Sequence, residues 1–130
     1  MNAYKPCEIK VPILGEIWSV KLVHDKDDRT FKKNNNYAGY CDPTTREMII
    51  SVDSIDGNVN NPKKAIRHTI AHELVHAYMS ESGLLNDWEH SHRFGQDETT
   101  VDWIAWQLQK MNFTLTYIYG QLDKLDENAK

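Results

Sequence analysis

"HTIAHELVHAYM", residues His68 to Met79, sets three histidines four residues apart and puts Glu73 directly after the middle one. In an α-helix, residues four apart stand one turn above each other on one face, so His72 and His76 can aim their imidazoles at a common point. Glu73 is rotated by about a hundred degrees from His72. It is badly placed to bind the same ion but well placed to reach a water beside it. The order HExxH therefore offers two nitrogen ligands for a divalent metal such as zinc, and a carboxylate that can act as general base. A shuffled chain of this composition would contain the motif on the order of one time in a hundred, so its setting decides the reading.

That setting is helical. Asn61 followed by Pro62 is a good helix start, because proline lacks an N–H that the first turn would leave unsatisfied, and Gly83 after Ser82 is a good stop. Ile66, Ile70 and Leu74 give the helix an apolar face. A buried face that also carries two histidines and a glutamate needs compensation, which a zinc ion would supply. The bland alternative is a pair of solvent-facing or hydrogen-bonded helix histidines. A catalytic zinc keeps three protein ligands and an open position, so a further ligand is expected downstream. "ETTVD" offers Glu98 as that ligand and, four residues on, Asp102 to hold a ligating imidazole by its other ring N–H. Both fall on a second predicted helix, Asp97 to Met111, in which Val101, Ile104, Ala105 and Leu108 recur at helical spacing and Asp97 can cap the start.

HExxH followed by ExxxD is the gluzincin pattern. The chain resembles small zincin-like proteins of bacteria and their phages, near the ImmA/IrrE metallopeptidases, through "AGYCDPTTREMIIS", "HTIAHELVHAYMSESGL" and "DETTVDWIAWQ". The resemblance implies His72, His76 and Glu98 as zinc ligands, Glu73 as general base, and zinc-dependent hydrolysis of peptide bonds in a protein or peptide substrate. A second assignment competes for the third ligand. "HSHRF" resembles the HGxxF stretch of SprT-like proteases, which would make His90 the ligand, with Ser91 in place of the glycine. Glu98, with Asp102 behind it, is preferred over His90. The alternative function is a non-catalytic zincin-fold interaction module of phage or bacterial origin, but such a module has no use for Glu73.

The remaining motifs carry less. His68 reads as a rim histidine, and His90 and His92 as either oxyanion donors or a solvated loop. Trp88, Trp103 and Trp106 read as core or its edge. Cys7 and Cys41 stand without a CxxC and read as small buried hydrophobes.

Around the motif, "GEIWSVKLV" (Gly15–Val23) reads as a strand, and Tyr37–Asp53 as a β-hairpin turning at "DPTT". His24–Asn36 reads as a polar surface connection with a short turn of helix. Leu115, Ile118, Leu122 and Leu125 suggest a separate short closing helix. The expected fold is one α+β domain over residues 1–130, a small antiparallel sheet packed on the HExxH helix and a second ligand-bearing helix. An exposed edge strand beside the site would receive an extended peptide.

Composition fits this class. The chain has 130 residues, 40% hydrophobic and 26% charged, with net charge -4. That balance forms no basic stripe for nucleic acid. No run approaches the roughly 20 apolar residues of a membrane span, and "MNAYKPCEIK" lacks a signal-peptide core, so a cytoplasmic protein is expected, in host cytoplasm if phage-encoded. The pattern leaves oligomeric state open.

Overall fold

The computed structural model describes residues 4–34, 37–53, 59–83 and 98–128, with the backbone alone at 98–102 and 105. The chain is α+β. Strands β1 (Cys7–Ile13), β2 (Glu16–Val23), β3 (Gly39–Asp42) and β4 (Glu47–Ser51) form one sheet in the order β1-β2-β4-β3. A single 3-10 turn (Asp25–Asp27) and helix α1 (Arg29–Lys33) lead from β2 towards β3, and two long helices follow, α2 (Pro62–Glu81) and α3 (Glu98–Asn128).

β1 is a strand that the sequence reading passes over. Its Ile9, Val11 and Ile13 are buried while Glu8, Lys10 and Pro12 are exposed, the period of two that a half-buried strand demands. It pairs antiparallel with β2 through a two-residue turn at Leu14 (φ 50°) and Gly15 (φ 90°). Left-handed backbone at both turn positions matches the twist of a tight hairpin.

The sheet is mixed, which corrects the expected antiparallel one. β3 and β4 form the anticipated hairpin, but β2 and β4 run parallel, with Ser19 opposite Glu47 and Val23 opposite Ser51. The chain leaves β2, passes through α1 and β3, and so re-enters beside β2 in the same direction. β4 carries the sign of this position, since Met48, Ile49 and Ile50 are all buried. A strand covered on both faces reads as a continuous apolar run rather than an alternation.

One face of the sheet, including Val11, Ile13, Trp18, Val20, Leu22, Met48 and Ile50, packs on Ile66, Ile70, Leu74 and Ala77 of α2 and on Met111, Ile118 and Leu122 of α3. Each fully buried aliphatic or aromatic side chain contributes roughly 1.5–3 kcal/mol. On the other face Phe31 of α1 meets Tyr40 edge-on, ring centroids 5.4 Å apart.

α2 begins and ends as the sequence predicts. The Asn61 side chain accepts from the backbone N–H of Lys64 at 3.1 Å, Pro62 opens the helix, and Gly83 follows it at φ 83°. α3 departs from expectation, because one continuous helix replaces the predicted pair. The "NFT" at 112–114 is a weak helix former, but Thr114 is buried within the same core-facing stripe as Met111 and Ile118, and its hydroxyl donates back to the Lys110 carbonyl. Packing carries the helix through. Asp97, the expected cap, lies outside the described residues. α2 and α3 run antiparallel: the Tyr78 hydroxyl meets that of Thr114 at 2.9 Å, Arg67 chelates Asp123 at 2.7 and 2.9 Å, and Lys63 pairs with Asp126. No described helix is long and apolar enough to cross a membrane.

Candidate metal centre

The middle of α2 faces β3, and the approach is close because residue 39 is glycine. A Cβ there would lie 2.8 Å from the Thr69 methyl, 3.0 Å from the Ile49 carbonyl oxygen and 3.2 Å from Ile50 Cδ1. Between strand and helix opens a cavity of about 310 Å3. It is lined by Gly39, Tyr40, Cys41 and Pro43 on one side and by His72, Glu73, His76 and Ser80 on the other.

His72 and His76 are neighbours on one face of α2. Their ring centroids lie 5.0 Å apart with planes at 65°, an edge-to-face contact that residues one helical turn apart can make. Burial differs from the expectation of a wholly buried polar face, because both histidines are exposed while Glu73 is only 6% exposed. The reason is helical phase. Glu73, next to fully buried Leu74, turns inward towards the sheet, and the imidazoles sit at the cavity's outer lip.

Burial pushes the Glu73 carboxyl above its ordinary range, against the opposing pull of the imidazoles of His76 and His72. Desolvation penalises the charged form, and a cation nearby would favour it again. Cys41 shares this environment. Burial first, then the carboxylates of Glu73 and Asp42, push its thiol up to about 12, so near neutral pH it is a neutral thiol rather than a thiolate ligand.

Among the described residues the donor types are ones that zinc takes: two neighbouring imidazoles, with a buried carboxylate on the same cavity wall. Among the described residues no group of three His, Cys, Asp or Glu donors converges. The remaining predicted participants fall elsewhere. Glu98 and Asp102 lie in the first turns of α3, where only backbone is described, and His90, His92 and Trp88 lie outside the described residues. His68 is exposed and does not line the cavity. Trp103 packs against the core, and Trp106 is exposed.

Gly39, Cys41, Pro43 and Ser80 are cavity residues that sequence reasoning missed. The signal for Gly39 was present, since an isolated glycine inside a strand marks a close backbone approach. No family model, curated protein or solved structure matches the chain, so the functional reading rests on this geometry.

Proposed function

We infer that the chain is a zinc-dependent peptidase whose reaction is centred on α2. One observation carries the reading: a buried carboxylate, Glu73, and two neighbouring imidazoles, His72 and His76, share the wall of a cavity whose opposite wall is an edge strand. Structural helix histidines do not require a buried glutamate beside them. Zinc, when bound, would supply Lewis acidity and make water a nucleophile near neutral pH.

The chain's own residues then divide the work. His72 and His76 would each give one neutral ring nitrogen to the metal, and a third ligand would come from Glu98 or His90. Glu73 would accept a proton from the attacking water and return it to the leaving amine as the C–N bond breaks. The outer edge of β3 would hold an extended peptide along the cavity by main-chain hydrogen bonds, which selects unfolded segments over folded domains.

The alternative is a zincin-fold interaction module without chemistry. Metal analysis and peptide hydrolysis by the purified protein and two variants separate the readings. The peptidase reading expects one zinc per chain in wild type and Glu73→Gln, with hydrolysis lower by about 10²–10⁴-fold in Glu73→Gln, and zinc lost in His72→Ala. Equal metal content in His72→Ala and wild type, or undiminished hydrolysis in Glu73→Gln, rejects it.

A further inference from the structure

Two rows of residues face each other across the α2 cavity. On the helix, His72, His76 and Ser80 line it at four-residue intervals, and on the strand side Gly39, Cys41 and Pro43 line it at two-residue intervals. These are the repeats of one helix face and one strand face, and they match in length: about 12 Å from position 72 to 80 along a helix, about 13 Å from 39 to 43 along an extended strand. The rows run in the same sense. Residue 39 lies against Thr69, and Arg46, in the turn after β3, bonds to Glu81. Strand and helix touch at the Gly39 end, so the cavity is closed there and extends past the imidazoles towards Pro43 and Ser80.

The hydrolytic chemistry uses His72, Glu73 and His76 and leaves the Pro43–Ser80 end without a role. Ser80 is half-buried. The hydroxyls of Thr69, Thr114 and Thr116 each donate back to the carbonyl four residues earlier, a common outlet for a hydroxyl inside a helix. Among the described residues Ser80 makes no such bond, and its side chain lines the cavity instead. Apart from the two imidazoles, the charge around the cavity is of one sign. No Lys or Arg is among the described residues that line it, Arg46 is engaged by Glu81 and Glu16, and the carboxylates of Glu73 and Asp42 both act on Cys41. A carboxylate brought here loses water without gaining a cation, and meets like charge.

Resting on the peptidase reading, we propose that the opening between Pro43 and Ser80 is the subsite that sets specificity: it receives a substrate side chain close to the scissile bond, accepts it uncharged, and rejects Asp and Glu. Ser80 stands one turn, about 6 Å, beyond His76, and an extended peptide advances about 3.3 Å per residue, so the occupant lies within two residues of the bond that breaks. Cys41 and Pro43 give it apolar contact, and the Ser80 hydroxyl gives a polar occupant a hydrogen-bond partner.

Cleavage of a tryptic digest of denatured cell lysate by the zinc-loaded chain, with the cut sites read by mass spectrometry, tests the subsite. Wild type should show Asp and Glu depleted about tenfold or more at one position within two residues of the cut. Ser80→Lys and Pro43→Lys place an ammonium on opposite walls of the opening, and each should remove the depletion at that same position, with thermal melting as the folding control. A second readout needs no turnover: in chelator, a fluorescein-labelled peptide taken from a cut site should bind wild type about tenfold or more tighter than its analogue carrying Asp at that position, and Ser80→Lys should abolish the difference. Cleavage with Asp and Glu undepleted at every flanking position, or a profile that neither lysine changes, overturns the subsite and leaves the peptidase reading standing. A wild type that cuts nothing rejects both.

Discussion

At the scale of single residues, Glu73 bears the tension of the site. Its carboxyl is desolvated against the sheet face, and burying a charge without a partner is unfavourable. Replacing it by the neutral isostere glutamine should therefore raise the melting temperature of the metal-free protein by a few degrees, while lowering the proposed hydrolysis by about 10²–10⁴-fold. Thermal denaturation in chelator tests this, and a Glu73→Gln variant less stable than wild type would show that the carboxylate holds the fold rather than burdens it. Such a trade of stability for chemistry is common at functional positions. The motif was legible because helical geometry alone aligns His72 with His76. The burial of Glu73 and the exposure of the imidazoles were not, because they depend on how α2 is rotated against a sheet whose first strand went unread.

Glu81 shows the opposite behaviour. Its carboxylate accepts from Arg46 Nε at 2.5 Å and from the indole N–H of Trp18 at 2.9 Å, and the Arg46 hydrogen bond, against some desolvation, holds its carboxyl below the usual range. A carboxyl lowered by folding contributes stability above its unfolded value, near 4.3, and loses it as pH falls through the folded value. Glu81→Gln should flatten the acid limb of the stability curve. Glu81→Ala should cost about 1–3 kcal/mol even at neutral pH, because Trp18 is buried at 1% exposure and its N–H would lose its acceptor. Urea titrations at pH 2.5 to 6, about two units either side of an unperturbed glutamate, measure the first effect, and a titration at neutral pH measures the second.

At the scale of elements, the spacing between β3 and α2 is set by Gly39. An alanine there would drive its methyl into Thr69 and the β4 backbone, and overpacking of this kind typically costs about 1–3 kcal/mol. Gly39→Ala should lower stability by that amount and weaken the proposed peptide binding more than the proposed metal binding, because strand and helix must separate while His72 and His76 keep their mutual geometry. Equal losses of both would mean that the proposed ligands themselves move. α2 was read correctly from end to end, since its caps and apolar period agree. α3 was split in two, because weak helix formers at 112–114 outweighed a buried stripe that only packing reveals.

The register of these helices also bears on the third ligand. Tyr78 stands beside Thr114, and the helix between Thr114 and Glu98 spans roughly 24 Å along a straight axis. Because α3 runs on past the C-terminal end of α2, a straight axis would leave Glu98 roughly 27 Å from His76, a distance that bending of its first turns alone does not span. The two assignments predict different losses. Zinc affinity should fall by orders of magnitude in Glu98→Ala with His90→Ala near wild type, or the reverse.

At the scale of the whole molecule, α2 and α3 pack side by side on one face of the sheet, so the site and the core share α2. Leu74, the residue after the proposed base, is 0% exposed and lies in the central cluster. Leu74→Ala should cost about 2–5 kcal/mol without removing any group from the cavity. Metal binding offers the means to separate stability from chemistry, because a ligand that binds only the folded state at a hundredfold excess over its dissociation constant adds about 2.7 kcal/mol. Zinc should then raise the melting temperature of wild type, Glu73→Gln and Leu74→Ala by similar amounts, and leave His72→Ala and His76→Ala unmoved. If zinc instead stabilises both histidine variants as it does wild type, the metal binds elsewhere and the α2 cavity loses its claim. If it stabilises wild type but not Leu74→Ala, the core rather than the donor set limits binding, and the imidazoles depend on the packing of the residue beneath them.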